Sequence, residues 1–171
     1  MRKIVFIAIL AVAAVAGGAS AWWMNRSDGA GAEQAMRPAF SLPDLDDQVR
    51  KIGEWDGKVV LLNFWAPWCP PCRREIPAFM KLTKKYHDQG LAVVGVTIDT
   101  EQNAQNFVDT NGVDYPILVG GEAGVHIAKA YGNKVGALPY TVILDRQGHI
   151  RYKQGGELSF EQAEAIIKPL L

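Results

Sequence analysis

The chain's only two cysteines, Cys69 and Cys72, stand three positions apart in Trp68-Cys69-Pro70-Pro71-Cys72. An uncharged run, Val59-Val60-Leu61-Leu62-Asn63-Phe64, leads into them. An amphipathic helical pattern leads out, with Ile76, Phe79, Met80 and Tyr86 on one stripe. The pair is therefore expected where a strand ends and a helix begins, which is the setting of a redox Cys-x-x-Cys rather than half a metal site.

That placement has a chemical reason. A thiolate is the nucleophile of disulfide exchange, and the free N–H groups and dipole of a helix N-terminus stabilise it. Cys69 is expected at that terminus with its sulfur exposed, and Cys72 one turn in and more covered. Cys69 would attack a disulfide and Cys72 would resolve the mixed disulfide. Pro71 suits a first helical turn, where a missing N–H costs nothing.

Other uses of a cysteine pair fit less well. Zinc takes four protein ligands, or three and a water, and His87, His126 and His149 are scattered along the chain. Arg73 follows Cys72, so the haem-attachment pattern Cys-x-x-Cys-His is absent. A copper carrier remains a rival reading, weakened by the lack of a third ligand. No Pro-x-x-x-Ser/Thr-x-x-Cys pattern precedes Cys69, which disfavours a peroxidase.

The segment Asn63-Phe64-Trp65-Ala66-Pro67-Trp68-Cys69-Pro70-Pro71-Cys72 resembles the active site of the thioredoxin superfamily. The wider pattern, from about Phe40 to the C-terminus, resembles its membrane-tethered TlpA/ResA/CcmG-like branch. Gly136-Ala137-Leu138-Pro139-Tyr140-Thr141 is similar to the superfamily loop whose cis-proline faces the cysteines, which implies a cis Leu138–Pro139 bond. Pro77 matches a proline found inside the active-site helix of such proteins. The resemblance implies an α/β thioredoxin-like fold: a central mixed β-sheet flanked by helices, with an N-terminal β-hairpin and a central insertion.

It also implies roles. Glu75 matches an acid that modulates the cysteines in ResA-like proteins, although by position alone it is an ordinary acid favouring a helix N-terminus. Asn63 stands where cytoplasmic thioredoxins bury an Asp, so any proton relay would pass to Glu75. Trp68, Pro70, Pro71, Leu138 and Pro139 would bind the client, an extended segment pairing at the cis-proline bend. Trp65 is expected in the core. The redox-active Cys69–Cys72 pair would need no other cofactor and no metal. Between the cysteines, Pro-Pro offers no charge to favour thiolate, unlike the His of oxidising members, and this points to a reductant. Clients would be proteins with disulfides, an apocytochrome c among them, and a membrane thiol reductase would supply electrons. A disulfide oxidase or isomerase of the same fold is the alternative.

The N-terminus bears on location. Met1-Arg2-Lys3 opens with positive charge, and the 20 residues Ile4 to Trp23 carry none. A bilayer-spanning helix takes roughly 20 apolar residues. Trp22-Trp23 suits the far interface, with Arg2 and Lys3 in the cytoplasm. Ala19-Ser20-Ala21 also fits a signal-peptide cleavage site. An uncleaved anchor is favoured because the apolar run continues past that site, and either reading exports the remainder. The expected organisation is 1–24 anchor or signal, 25–38 flexible tether, and 39–171 the thioredoxin-like domain. Lys+Arg and Asp+Glu are both 18, and with no basic stripe nucleic acid is not an expected partner.

Along the domain, Phe40 to Ile52 reads as a hairpin turning at Asp46-Asp47. Helices are expected from about Cys72 to His87, Glu101 to Thr110, Val125 to Tyr131, and after Ser159. Strands are expected at Val59–Phe64, Leu91–Ile98, Tyr115–Val119, Tyr140–Leu144 and His149–Gln154.

Overall fold

The computed structural model describes residues 35–171. The expected anchor at 4–23 and the larger part of the expected tether lie outside the described residues. Among the described residues no helix is long and apolar enough to cross a membrane.

A short antiparallel hairpin comes first, β1 (Ser41–Pro43) against β2 (Val49–Lys51). The Asp44 side chain accepts from the N–H groups of Asp46 and Gln48 and shapes its turn. Asp47 takes the left-handed conformation, φ 59°, which a glycine holds more readily and which Asp tolerates. A 3₁₀ turn, Ile52–Trp55, leads on to β3 (Val59–Trp65).

All seven residues of β3 are buried, as expected for a central strand covered on both faces. β3 pairs in parallel with β4 (Leu91–Thr97), and β4 in parallel with β5 (Ile117–Val119). On its other side β3 pairs antiparallel with β6 (Tyr140–Leu144), which forms a hairpin with β7 (Ile150–Gly155). The five-stranded order is β5-β4-β3-β6-β7, a mixed sheet.

Side chains alternate along β3 and so serve two cores. Val59, Leu61 and Trp65 face α1 (Pro70–Tyr86) and α4 (Phe160–Ile167), joining Ile76, Phe79, Leu82 and Ile167. Phe107 of α2 (Glu101–Asn111) closes the same face against Trp65, with ring centroids 5.1 Å apart. Val60, Leu62 and Phe64 face the other way, toward Ala128 of α3 (Gly121–Ala130), Tyr131 and the residues beside the N-terminal hairpin. Each fully buried Leu, Ile or Phe contributes about 1.5–3 kcal/mol, so these two layers fix the sheet and hold α1 against the end of β3.

Several boundaries differ from the sequence reading. α1 begins at Pro70, with Cys69 as its N-cap, rather than at Cys72. Proline without an N–H is at home in the first turn, so both prolines are helical. α3 begins at Gly121, four residues before the expected Val125. The tether does not reach Pro38. Met36 bridges to His149, the Arg37 N–H donates to Gly148 O, and the Arg37 guanidinium pairs with Asp56. Tyr131 OH donates to Pro38 O. These bonds tie residues 35–38 into the domain.

Candidate functional site

The helix that follows β3 starts at the first cysteine. Cys69 adopts an extended backbone, φ −87° and ψ 108°, and caps α1 with its sulfur: the Cys72 N–H donates to Cys69 Sγ at 3.3 Å. An N-cap acceptor normally is an oxygen of Ser, Thr, Asp or Asn. Here a sulfur stands in that position, where the helix N-terminus favours negative charge. The two sulfurs are joined in a disulfide, with Cα atoms 5.3 Å apart.

The exposure expected for Cys69 is not found. Its side chain folds back over the first turn to reach Cys72, and Cys69 is only 3% exposed while Cys72 is 0% exposed. The surface beside them belongs to Trp68, 64% exposed, and to exposed Pro70, with Pro71 half-buried. Trp65 is fully buried, as expected.

β6 brings the second loop to the same end of the sheet. Phe64 is opposite Tyr140, so Leu138 and Pro139 precede β6 near where β3 leaves the sheet. The Leu138–Pro139 peptide is cis. Leu138 is half-buried and packs against the core that holds both cysteines, while Pro139 is buried.

Glu75 is no surface acid of a helix start. It is 1% exposed, on the second turn of α1, and faces the sheet. Asn63 Nδ2 donates to Glu75 Oε1 at 2.8 Å, and the Leu158 N–H donates to Oε2 at 3.1 Å. Burial pushes the Glu75 carboxyl up to about 8, against the opposing pull of those two hydrogen bonds. The acid three residues after Cys72 is therefore protonated at neutral pH and able to release or take a proton there. Asn63 also donates to Thr141 Oγ1 at 3.0 Å, across the β3–β6 pairing.

Sequence reasoning had no role for Thr141 or Leu158. One signal was available for the first. A lone Asn in an apolar central strand needs a hydrogen-bonding partner, and an alternating neighbour strand beginning Tyr-Thr supplies one. Leu158 acts through its backbone, which no residue type announces. Among the described residues no group of three His, Cys, Asp or Glu side chains is placed to hold a metal ion.

Comparison with known proteins agrees with this geometry. The AhpC/TSA family matches residues 34–153. The thiol-disulfide oxidoreductase ResA of Halalkalibacterium halodurans is 36% identical over 170 residues, covering 95% of this chain and 93% of that one. The thioredoxin-like protein YneN of Bacillus subtilis is 38% identical over 136 residues, covering 77% and 76%. A solved thiol:disulfide interchange protein of the thioredoxin family, from Chlorobium tepidum, matches with a TM-score of 0.74 at 26% identity, covering 82% of this chain and 99% of that one. The mixed sheet, the sulfur-capped helix and these matches agree: the chain belongs to the thioredoxin-like AhpC/TSA family and is a thiol–disulfide oxidoreductase similar to ResA.

Proposed function

We propose that this protein reduces disulfides in client proteins on the outer side of the cytoplasmic membrane, held there by residues 4–23. The observation that carries the chemistry is the N-cap sulfur: Cys69 Sγ receives the Cys72 N–H at the start of α1. In the reduced enzyme the same N–H and the helix dipole favour thiolate on Cys69. That thiolate attacks one sulfur of the client disulfide, and the other client sulfur leaves and takes a proton. Cys72 then attacks Cys69 in the mixed disulfide, and the second client thiol is released. Two electrons pass to the client and the Cys69–Cys72 disulfide forms. Glu75, close along the helix from Cys72, accepts the Cys72 proton as resolution begins, and does so in its ionised form, the minority at neutral pH for a carboxyl raised to about 8. Trp68, Pro70 and Pro71 on one side and Leu138 and Pro139 on the other receive the client. A dithiol donor in the membrane restores the reduced pair.

The uncharged Pro70-Pro71 dipeptide supports a reducing poise, since nothing between the cysteines stabilises thiolate by charge. An apocytochrome c, whose haem-binding cysteines must be reduced before ligation, is the client this reading favours. The test is trapping with C72S in cells. Mixed disulfides through Cys69 to exported proteins, cytochrome c precursors among them, are expected, together with a potential well below that of a disulfide-forming catalyst. A strongly oxidising potential, or stoichiometric copper retention needing both cysteines without disulfide reduction, overturns it.

A further inference from the structure

Three buried side-chain atoms have no hydrogen-bond partner among the described residues: Asn63 Oδ1, Trp65 Nε1 and Tyr115 OH. They gather at one place. Asn63 and Trp65 are alternate residues of β3, so they share a face. Asn63 is opposite Gly95 on β4, and Gly95 is opposite Ile117 on β5, two residues past Tyr115. A Cβ at Gly95 would lie 3.0 Å from Trp65 Nε1 and 3.4 Å from Cε2 of Tyr115. The indole N–H and the edge of the phenol ring thus both lie over the Gly95 backbone, with Ile117 Cδ1 nearer still at 2.6 Å from the same point.

Their chemistry is complementary through a third party. An indole N–H only donates, and an amide oxygen only accepts, while a hydroxyl does either. The Asn63 amide nitrogen is already committed to Glu75 and Thr141. A small neutral molecule that accepts once and donates twice meets all three needs. Leaving each group unpaired is costly in a folded core, and buried waters typically make about three such bonds. On the side of the N-terminal hairpin a cavity of about 220 Å³ is lined by Tyr115 with Asp44, Arg50, Val108 and Pro116, so it touches the Tyr115 edge of this cluster.

We propose that Asn63, Trp65 and Tyr115 enclose an internal water site, and that Tyr115 is a positioning residue acting through this water on the Asn63–Glu75 pair. The water holds the Asn63 oxygen, and so keeps the amide nitrogen turned to Glu75. Without it the amide rotates freely and can offer its oxygen instead, which favours the protonated carboxyl. The other groups facing Glu75 do not depend on the site. Leu158 donates from its backbone, and Glu157, which Arg74 engages at the surface, adds a negative charge. Burial pushes the Tyr115 hydroxyl up, and Glu75, when ionised, adds to that push.

The test uses the oxidised full chain without client, so its outcome is independent of the direction of exchange. Water-to-indole nuclear Overhauser transfer at Trp65 Hε1 is expected in the wild type and is expected to weaken in Y115F. In the same variant the Glu75 carboxyl, followed by its infrared band, is expected to titrate higher by about 0.5 pH unit or more. A Trp65 indole without water transfer in the wild type overturns the site. An unchanged Glu75 titration in folded Y115F overturns the positioning role.

Discussion

The Asn63 amide donates to the Glu75 carboxyl across 2.8 Å with both residues buried, so β3 and the second turn of α1 share one polar contact. That contact explains how an acid is kept inside the apolar face of α1. Two donors, from Asn63 and from the Leu158 backbone, offset part of the cost of burial. The offset is incomplete, which is why the carboxyl stays protonated at neutral pH.

The N63D variant tests that contact. It removes the donor and sets a second carboxyl against the first. Two acids at this distance cannot both ionise in a low dielectric, so they titrate as a pair with one proton shared. The variant is expected to fold at about pH 6 and to lose about 1–3 kcal/mol more than wild type when the pH is raised to about 9. Urea unfolding of the oxidised forms at the two pH values measures this. Equal losses in both proteins would show that the pair does not couple.

Glu75 itself imposes a pH dependence on stability. Its unfolded value is 4.5 and its folded value about 8. Between these, the folded chain keeps a proton that the unfolded chain has lost. Stability therefore falls as pH rises through this window, by at most about 1.4 kcal/mol per pH unit, and levels off above about pH 8. Asp44 and Asp145, whose carboxyls are held below their usual range despite burial by hydrogen bonds from neighbouring backbone N–H groups and from Arg50 and Arg151, act at lower pH and do not overlap. E75Q is expected to be flat across the window. The oxidised protein is the one to use, because its cysteines do not titrate. A wild-type curve without this slope would place the Glu75 value near 4.5.

Much of this was legible because local chemistry announces it. A Cys-x-x-Cys after an apolar strand and before an amphipathic stripe locates the site. Ser159 with Gln162 three residues later forms the capping box its sequence suggests. The rest lay in contacts between distant segments. The burial of Cys69 depends on the disulfide pulling its side chain over α1. The fixing of residues 35–38 depends on a turn more than a hundred residues away. Tyr115 reads as one more aromatic of a short strand, and only the pairing of β4 with β5 brings it over Gly95 beside Trp65. A helix start also hides where prolines occupy it, since a residue poor inside helices is favourable in the first turn.

The Pro70-Pro71 pair sets a further expectation. A histidine in its place puts a partial positive charge beside the N-cap sulfur and stabilises the thiolate, hence the reduced form. P71H is expected to raise the reduction potential by tens of millivolts, since about 30 mV corresponds to about 1.4 kcal/mol in a two-electron couple. Equilibration against a glutathione buffer reads the shift directly. The alkylation profile of Cys69 is expected to move to lower pH in parallel. A potential that falls, or does not move, would show that the proline dipeptide does not set the poise.

Trp68 offers the last separation, between docking and chemistry. Its ring is largely exposed beside a sulfur that is almost covered. A large aromatic in that position can gain most of its burial only when a partner arrives, and burying such a ring contributes on the order of 1.5–3 kcal/mol. The sulfur chemistry does not use it, because the N-cap bond joins Cys72 to Cys69 and the Asn63–Glu75 pair is buried in the core. W68A is therefore expected to lower kcat/KM for a protein client by about 10-fold or more, which is about 1.4 kcal/mol of lost binding. The same variant should react with a small aromatic disulfide within about twofold of wild type, a difference of about 0.4 kcal/mol. Parallel assays on a folded protein disulfide and on the small reagent compare the two. Equal losses on both would mean that Trp68 acts on the sulfurs and not on the client.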